Sequence, residues 1–413
     1  MKFDRYAISP EIKQNLIALG FRRPTDIQFK AIPSILDGED VLAIAQTGTG
    51  KTAAFAIPLI DRIHREKSSK RCEGIQCMVM VPTRELALQI GQVFIDLSRH
   101  TRVKTFALHG GVEQDAQINK LQVGIDILIA TPGRMFDLIN QKILSLSSVR
   151  ILVLDEADHM LDQGFIEDIK YVKKMIPFIH QTLFFSATIN HEIKKLAYSQ
   201  VKSTAIRIQI SPDDPVAKNV THFVMYVEMD DKRHFLERFI LDHPDSKIIV
   251  FVRTRVRAER VVLALARVNI SALSLHGEKE QTERIEVLKL FKLGESKLLV
   301  ATDVSARGID IPDVNYVINY DLPEKAENYV HRVGRTGRGI KKGVAISFCS
   351  ETEKDVLAAI EKFLNKKIDV INIGKKDYAL TINKPKDQTD LKAMLDEIDF
   401  IEMKRRKQAK RRK

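Results

Sequence analysis

Short, apolar, β-branched runs recur along this chain at helix-length intervals, and that spacing admits few folds. In the first half they are Val41 to Ala45, Met78 to Val81, Thr105 to Leu108, Ile127 to Ala130, Ile151 to Leu154 and Leu183 to Phe185. Runs apolar on both faces, with helical stretches between them, predict the strands of a parallel sheet covered by helices on both sides. A second series comprises Lys247 to Val252, Ala272 to Leu275, Lys297 to Val300, Tyr316 to Asn319 and Val344 to Phe348. Between the two, the stretch SPDDPVAKN carries two prolines and two aspartates with no periodicity, which predicts a linker. The expected architecture is therefore α/β: a domain over 1–209, a linker over 210–219, a second domain over 220–370, and an extension with a basic tail over 371–413. A length of 413 residues suits two large domains.

The net charge of +12 comes from 66 Lys and Arg against 54 Asp and Glu. The last ten residues hold eight bases (Lys404, Arg405, Arg406, Lys407, Lys410, Arg411, Arg412 and Lys413) and no acid, leaving 58 against 54, or +4, for the rest. Such a tail attracts phosphates by counterion release, without sequence choice; a merely solvated terminus is the alternative. Cys72, Cys77 and Cys349 form no CxxC pair and are odd in number, which argues against a disulfide framework or zinc site and for a reducing, cytoplasmic compartment. Neither a secretory leader nor a run of about 20 apolar residues is present, so no membrane association is expected.

The segment Ala45-Gln46-Thr47-Gly48-Thr49-Gly50-Lys51-Thr52 follows an apolar run and opens a helix-compatible stretch, the context of a phosphate-binding loop. Its glycines let backbone N–H groups wrap phosphates, Lys51 reaches the β/γ oxygens, and the Thr52 hydroxyl can ligate Mg²⁺. Ala45 stands where the general pattern begins with Gly. Ile151 to Leu154 runs into Asp155-Glu156-Ala157-Asp158. Acids at the mouth of a buried strand are costly unless they meet a cation, so Asp155 is expected to hold Mg²⁺ and Glu156 to orient and deprotonate an attacking water.

Asp155-Glu156-Ala157-Asp158 is the tetrapeptide of the DEAD-box helicases, and the chain resembles that family over roughly residues 3 to 350, with the family's motifs in order. The resemblance implies two tandem RecA-like domains and an ATP-dependent, RNA-stimulated helicase. It also makes Ala45 the usual first residue of the loop. Phe3 and the segment Gly20 to Gln28 resemble the family's Q motif, implying adenine recognition by Phe21 and Gln28 with Arg23 between them. Pro82-Thr83-Arg84-Glu85-Leu86-Ala87, Gly110-Gly111 and Thr131-Pro132-Gly133-Arg134 resemble RNA-contacting motifs, as do Arg253-Thr254, the stretch from His276 through Gln281 and Arg284, and Thr302 in Ala301 to Asp310. By the same resemblance Gly308 and Asp310 approach the nucleotide and Arg335 and Arg338 are arginine fingers. Asp158, Ser186, Thr188, Asp303, His331 and Arg332 would couple the ATP state to RNA, with His331 reaching the Asp158 carboxylate or its neighbours.

The cofactors so implied are ATP and Mg²⁺, and the partner is RNA held through its backbone. Ribosome-assembly or RNA-decay proteins are further expected partner classes, with the chain a monomer or weak oligomer. The compact body resembles bacterial members, of the RhlE-like subgroup. A translocase on duplex DNA and a non-enzymatic RNA chaperone are the competing readings. The Q motif and DEAD tetrapeptide argue against the first, and the intact set Lys51, Glu156, Arg335 and Arg338 against the second.

Overall fold

The computed structural model describes residues 2–46, 48–69, 74–176, 179–188, 190–210, 219–303, 311–337 and 342–382. Thr47, Gly308, Asp310, Arg338 and the basic tail lie outside them. The first sheet holds β1 (Val41–Ala45), β2 (Cys77–Met80), β3 (Thr105–Leu108), β4 (Ile127–Ala130), β5 (Ile151–Leu154), β6 (Gln181–Ser186) and β7 (Ile206–Ile210). Their spatial order is β3-β4-β2-β5-β6-β1-β7, with every pairing parallel. The second sheet holds β8 (Val220–Tyr226), β9 (Ile248–Phe251), β10 (Leu273–Leu275), β11 (Leu298–Ala301), β12 (Tyr316–Asn319), β13 (Gly343–Cys349) and β14 (Asp369–Val370). Its order is β10-β11-β9-β12-β13-β8-β14, again all parallel.

Alternation along each strand feeds two cores per sheet. Val41, Ala43 and Ala45 enter one apolar cluster of the first domain, and Leu42 and Ile44 the opposite one. The second domain divides in the same way, with Ile249 and Phe251 on one face of β9 and Ile248 and Val250 on the other. Helices cover both faces, and no helix among the described residues is long and apolar enough to cross a membrane.

The eleven expected strands all form, within two residues of their expected ends. Three strands were not legible, for one physical reason. β7 lies at an edge and buries only Ile208 fully, β8 alternates buried with exposed residues beside the two-residue β14, and β14 is exposed throughout. None presents the continuous apolar run that marks a central parallel strand. The described part of the expected extension packs onto the second domain. Its helix Lys375–Ile382 stacks Tyr378 on Phe235 with centroids 4.9 Å apart, and the Tyr378 hydroxyl donates to Asp231 Oδ2 at 2.8 Å.

Candidate active site

Ligand-bearing loops of a parallel sheet leave the carboxyl ends of its strands, and strand order decides which of them meet. In the first sheet β5, β6 and β1 are neighbours, so the loops after β1 and β5 face one cavity although over 100 residues separate them in sequence. That cavity, of about 370 Å³, is lined by Phe21, Gln28, Gly48, Gly50, Lys51, Thr52, Asp155 and Glu156 of the first domain and by Arg335 of the second.

The loop after β1 depends on Gly50, whose φ is +90° and where a Cβ would lie 2.5 Å from Gln28 Nε2. Gln28 itself is buried. Its Oε1 accepts from the Thr25 N–H at 3.0 Å and its Nε2 donates to the Gly50 carbonyl at 3.2 Å, tying the Gly20–Gln28 segment to the phosphate loop. Thr49 Oγ1 donates to the Gln46 carbonyl at 2.8 Å, and Ala45 ends β1 fully buried. Arg23 is exposed and Phe21 packs edge-on against Phe3 with centroids 6.0 Å apart. Gly50→Ala is expected to weaken ATP binding by about tenfold or more, because it combines positive φ with a collision. Isothermal titration with ATP checks this, and an unchanged affinity would remove the Gln28 link from the nucleotide site.

Lys51 opens the helix Lys51–Ser69, and its Nζ is buried without a hydrogen-bond partner among the described residues. A buried ammonium left alone is costly, so the group that completes it is an anion entering the cavity. Across from it, burial pushes the Asp155 carboxyl up to about 7; Glu156 and Asp158 add to the rise, while Lys51 and the Glu156 N–H oppose it. Such a carboxylate is stabilised in its charged form by a cation, and with the Thr52 hydroxyl in the same cavity the donor set fits a hard divalent ion. Burial also acts to raise Glu156, but the His159 ring, whose Nδ1 lies 3.5 Å away, outweighs it together with Lys51 and Arg335 and brings Glu156 down to about 2. Glu156 is thus an ionised acceptor that already feels a guanidinium of the other domain. Its backbone is left-handed, φ 51° and ψ 48°, a strain of about 1–3 kcal/mol for a residue with a Cβ, located at the turn from β5 into the helix Ala157–Asp162.

The residues expected to couple the two ligands form a chain of contacts. Asp158 Oδ2 accepts from the Thr188 N–H at 3.0 Å and the Thr188 hydroxyl at 2.9 Å, and stands 3.7 Å from His331 Nε2 of the second domain. Ser186 Oγ donates to the Thr188 carbonyl at 2.8 Å. Arg332 is buried, forks onto both carboxylate oxygens of Asp303 at 2.5 and 2.9 Å, and donates to the Asp321 carbonyl at 2.6 Å. It therefore fastens the loops after β11 and β12 to each other, and a bidentate guanidinium fixes orientation as well as distance.

The residues expected at RNA gather on the other side of the same sheets. β3, β4 and β2 are adjacent, which brings Gly110-Gly111, Thr131-Arg134 and Arg84 together. The Arg84 guanidinium packs against Gly110 and Gly111, and Gly111 has φ +77° and no room for a side chain. Arg134 donates to Gln117 Oε1 at 2.7 Å and to the Val112 carbonyl at 2.9 Å; Thr131 is buried at the start of the helix Pro132–Asn140. In the second sheet β10, β11 and β9 are adjacent and carry His276, Thr302 and Arg253-Thr254 at their ends. The Arg253 N–H donates to Asp321 Oδ2 at 2.9 Å, and Thr254 caps the helix Arg255–Arg267. Gln281 and Arg284 cross the interface: Gln281 Nε2 donates to Glu85 Oε1 at 3.2 Å, and Arg284 stands 2.9 Å from the same oxygen.

The sequence placed Glu85 only within the Pro82 to Ala87 motif, without this role across the domains, and did not single out Gln117 or the Lys325–Asp162 pair, which joins the two domains at 2.8 Å. No local signal distinguishes them, since a charged or amide residue on a helix is ordinarily solvated.

A family model described as DEAD/DEAH box helicase matches residues 25–196, and one described as helicase conserved C-terminal domain matches 231–339. The chain is 40% identical over 380 residues to the DEAD-box ATP-dependent RNA helicase CshA of Bacillus cereus, covering 92% of this chain and 71% of that one. It is 41% identical over 378 residues to the ATP-dependent RNA helicase RhlB of Shewanella putrefaciens, covering 90% and 85%. These names give no support to the RhlE-like subgroup. Among solved structures, yeast Dbp5 bound to RNA and ADP BeF3 matches with a TM-score of 0.83 at 31% identity over 92% of this chain and 97% of that one. A Dbp5 variant bound to a Gle1 variant and IP6 matches with a TM-score of 0.73 at 32% identity and the same coverage. By sequence match, domain content and fold, the chain belongs to the DEAD-box helicase family.

Proposed function

We infer that this chain is an RNA-stimulated ATPase that clamps one RNA strand across its two domains and uses ATP hydrolysis to separate short duplexes. The observation that carries the reading is the shared cavity: Lys51, Asp155 and Glu156 come from one domain and Arg335 from the other. Catalysis then requires closure, and because RNA-facing residues are also divided between the domains, ATP and RNA each favour the closed form and strengthen one another's binding.

In this reading Lys51 and the backbone of the phosphate loop hold the β- and γ-phosphates. Mg²⁺, when bound by Asp155 and Thr52, neutralises phosphate charge. Glu156 orients the attacking water; as its oxygen bonds to the γ-phosphorus, the bridging bond to ADP breaks and the water's proton passes to the carboxylate. Arg335 meets the charge that builds on the γ-phosphoryl oxygens, a role that falls to Arg338 as well. Arg84, Arg134, Arg253 and Thr302 contact the RNA backbone, so recognition is independent of sequence, and the 2′-hydroxyl favours RNA over DNA. A cytoplasmic compartment, where ATP and RNA are both at hand, suits this activity.

The test compares ATP hydrolysis by the intact chain with that of residues 1–210 and 219–413 produced separately, with and without single-stranded RNA. Strong RNA stimulation of the intact chain and little activity in either half is expected; a fully active half would refute the shared site. Deleting 404–413 is expected to lower RNA affinity and flatten its salt dependence, each lost phosphate contact reducing the logarithmic slope by about 0.7. An unchanged slope would remove the tail from the RNA contact.

A further inference from the structure

The helix Gln114–Gln122 follows the Gly110-Gly111 loop, and the one residue it fully buries is polar, Gln117 at 6% exposure. Burying a primary amide is unfavourable unless both its ends are satisfied, so a surface helix ordinarily docks through apolar side chains. Here both ends are satisfied, each by an element of the RNA-facing side. Gln117 Oε1 accepts from Arg134 at 2.7 Å, and Gln117 Nε2 donates to the carbonyl of His109 at 3.1 Å. Arg134 closes the ring by donating to the Val112 carbonyl at 2.9 Å.

We propose that Gln117 is a positioning residue for RNA binding: its amide fixes the Arg134 guanidinium and the 109–112 loop in one rigid unit, so that both meet the RNA backbone already oriented. The proposal rests on the reading above, in which Arg134 and Gly110-Gly111 face RNA. Three features make it more than a helix anchor. The amide spans the loop that follows β3 and the first turn of the helix that follows β4, which no other side chain of its helix does among the contacts described. It takes an N–H of Arg134 Nη1 while the Val112 carbonyl takes one of Nη2, so the guanidinium is held at two points with N–H groups to spare, which matters because an arginine recognises a phosphate through paired, directional bonds. And the loop it braces contains Gly111, which has positive φ and no side chain, so its place depends on neighbours such as Arg84 that pack against it and on the hydrogen bonds to the His109 and Val112 carbonyls.

The consequence is a penalty in RNA binding and not in the chemical step. For Gln117→Leu, which keeps the volume and loses both hydrogen bonds, the RNA concentration giving half-maximal ATPase should rise about tenfold, a part of what the two hydrogen bonds are worth, because the amide acts on RNA only through Arg134 and the loop. The rate at saturating RNA should change by less than about twofold. Gln117→Glu keeps an acceptor for Arg134 and loses the donor to His109, and its increase should be clearly smaller. Arg134→Ala should raise the same constant, and adding Gln117→Leu to it should add less than the product of the two separate effects, since the amide acts partly through Arg134.

The measurement is ATPase activity of the full chain against single-stranded RNA concentration for these four variants and the parent, with thermal melting alongside. If Gln117→Leu lowers the melting temperature but leaves the half-saturating RNA concentration unchanged while Arg134→Ala raises it, Gln117 is only a structural anchor and the proposal fails. An increase for Gln117→Glu equal to that for Gln117→Leu would also overturn it, because the Arg134 contact would then contribute nothing. If Arg134→Ala too leaves RNA binding unchanged, the RNA-facing assignment of this loop is what fails, and the proposal falls with it.

Discussion

Glu156→Gln is expected to lower RNA-stimulated ATP turnover by about 10²- to 10⁴-fold, the range for loss of a positioned proton acceptor, while ATP and RNA both still bind. The substitution keeps size and the amide's acceptor oxygen, so the cavity retains its shape. It removes the negative charge of a carboxyl whose pKa burial acts to raise but His159, Lys51 and Arg335 together bring down to about 2. With turnover stalled, ATP should hold the closed form and RNA should dissociate more slowly from the variant than from the parent. Single-turnover hydrolysis with excess enzyme separates chemistry from release. Rapid hydrolysis by the variant would transfer the acceptor role elsewhere in the cavity.

Arg335→Ala should be at least as damaging, about 10³- to 10⁵-fold in turnover, since a guanidinium that meets transition-state charge supplies most in the water-excluded site. Arg335 is 2% exposed, its Nε donates to the His331 carbonyl at 3.0 Å, and it lines the cavity that contains Lys51. Arg335→Lys should recover little, because an ammonium lacks the planar fork. ATP binding to the first domain should change far less than turnover, as the phosphate loop and Gln28 lie entirely on the other side. If Arg335→Ala abolishes ATP binding and turnover together, Arg335 is needed for ground-state affinity and not selectively for the transition state. Comparison with Glu156→Gln sharpens the test: only the arginine variant should lose the RNA-dependent slowing of nucleotide release, because it removes a second-domain group from the shared site.

Much of this was legible in the sequence. Central strands such as Ile151–Leu154 are buried on both faces and are written as unbroken apolar runs, so their number and the two-domain plan could be read directly. Candidate site residues whose proposed chemistry depends on their immediate neighbours could be picked out as well. Lys51 is meaningful because a glycine loop precedes it and a helix follows; Asp155 and Glu156 because a buried strand delivers them to its carboxyl end. Edge strands β7 and β14 were not legible, since an exposed strand carries no continuous apolar signature.

What the sequence determined by itself was the set of groups and the local elements that carry them, because backbone propensity, burial period and loop chemistry act over a few residues. Only the tertiary structure decided which groups meet. The strand order β3-β4-β2-β5-β6-β1-β7 sorts the phosphate loop and the Asp155-Glu156 turn to one side and the loops proposed to meet RNA to the other, and no local pattern encodes that order. Closure of the domains set Arg284 on Glu85, and the fold turned Gln117 inward from what reads as an ordinary polar helix; His331 beside Asp158 was expected by resemblance to the family, not from any local pattern. Those pairings are between residues far apart in the chain, and their energies exist only once both domains have folded and packed.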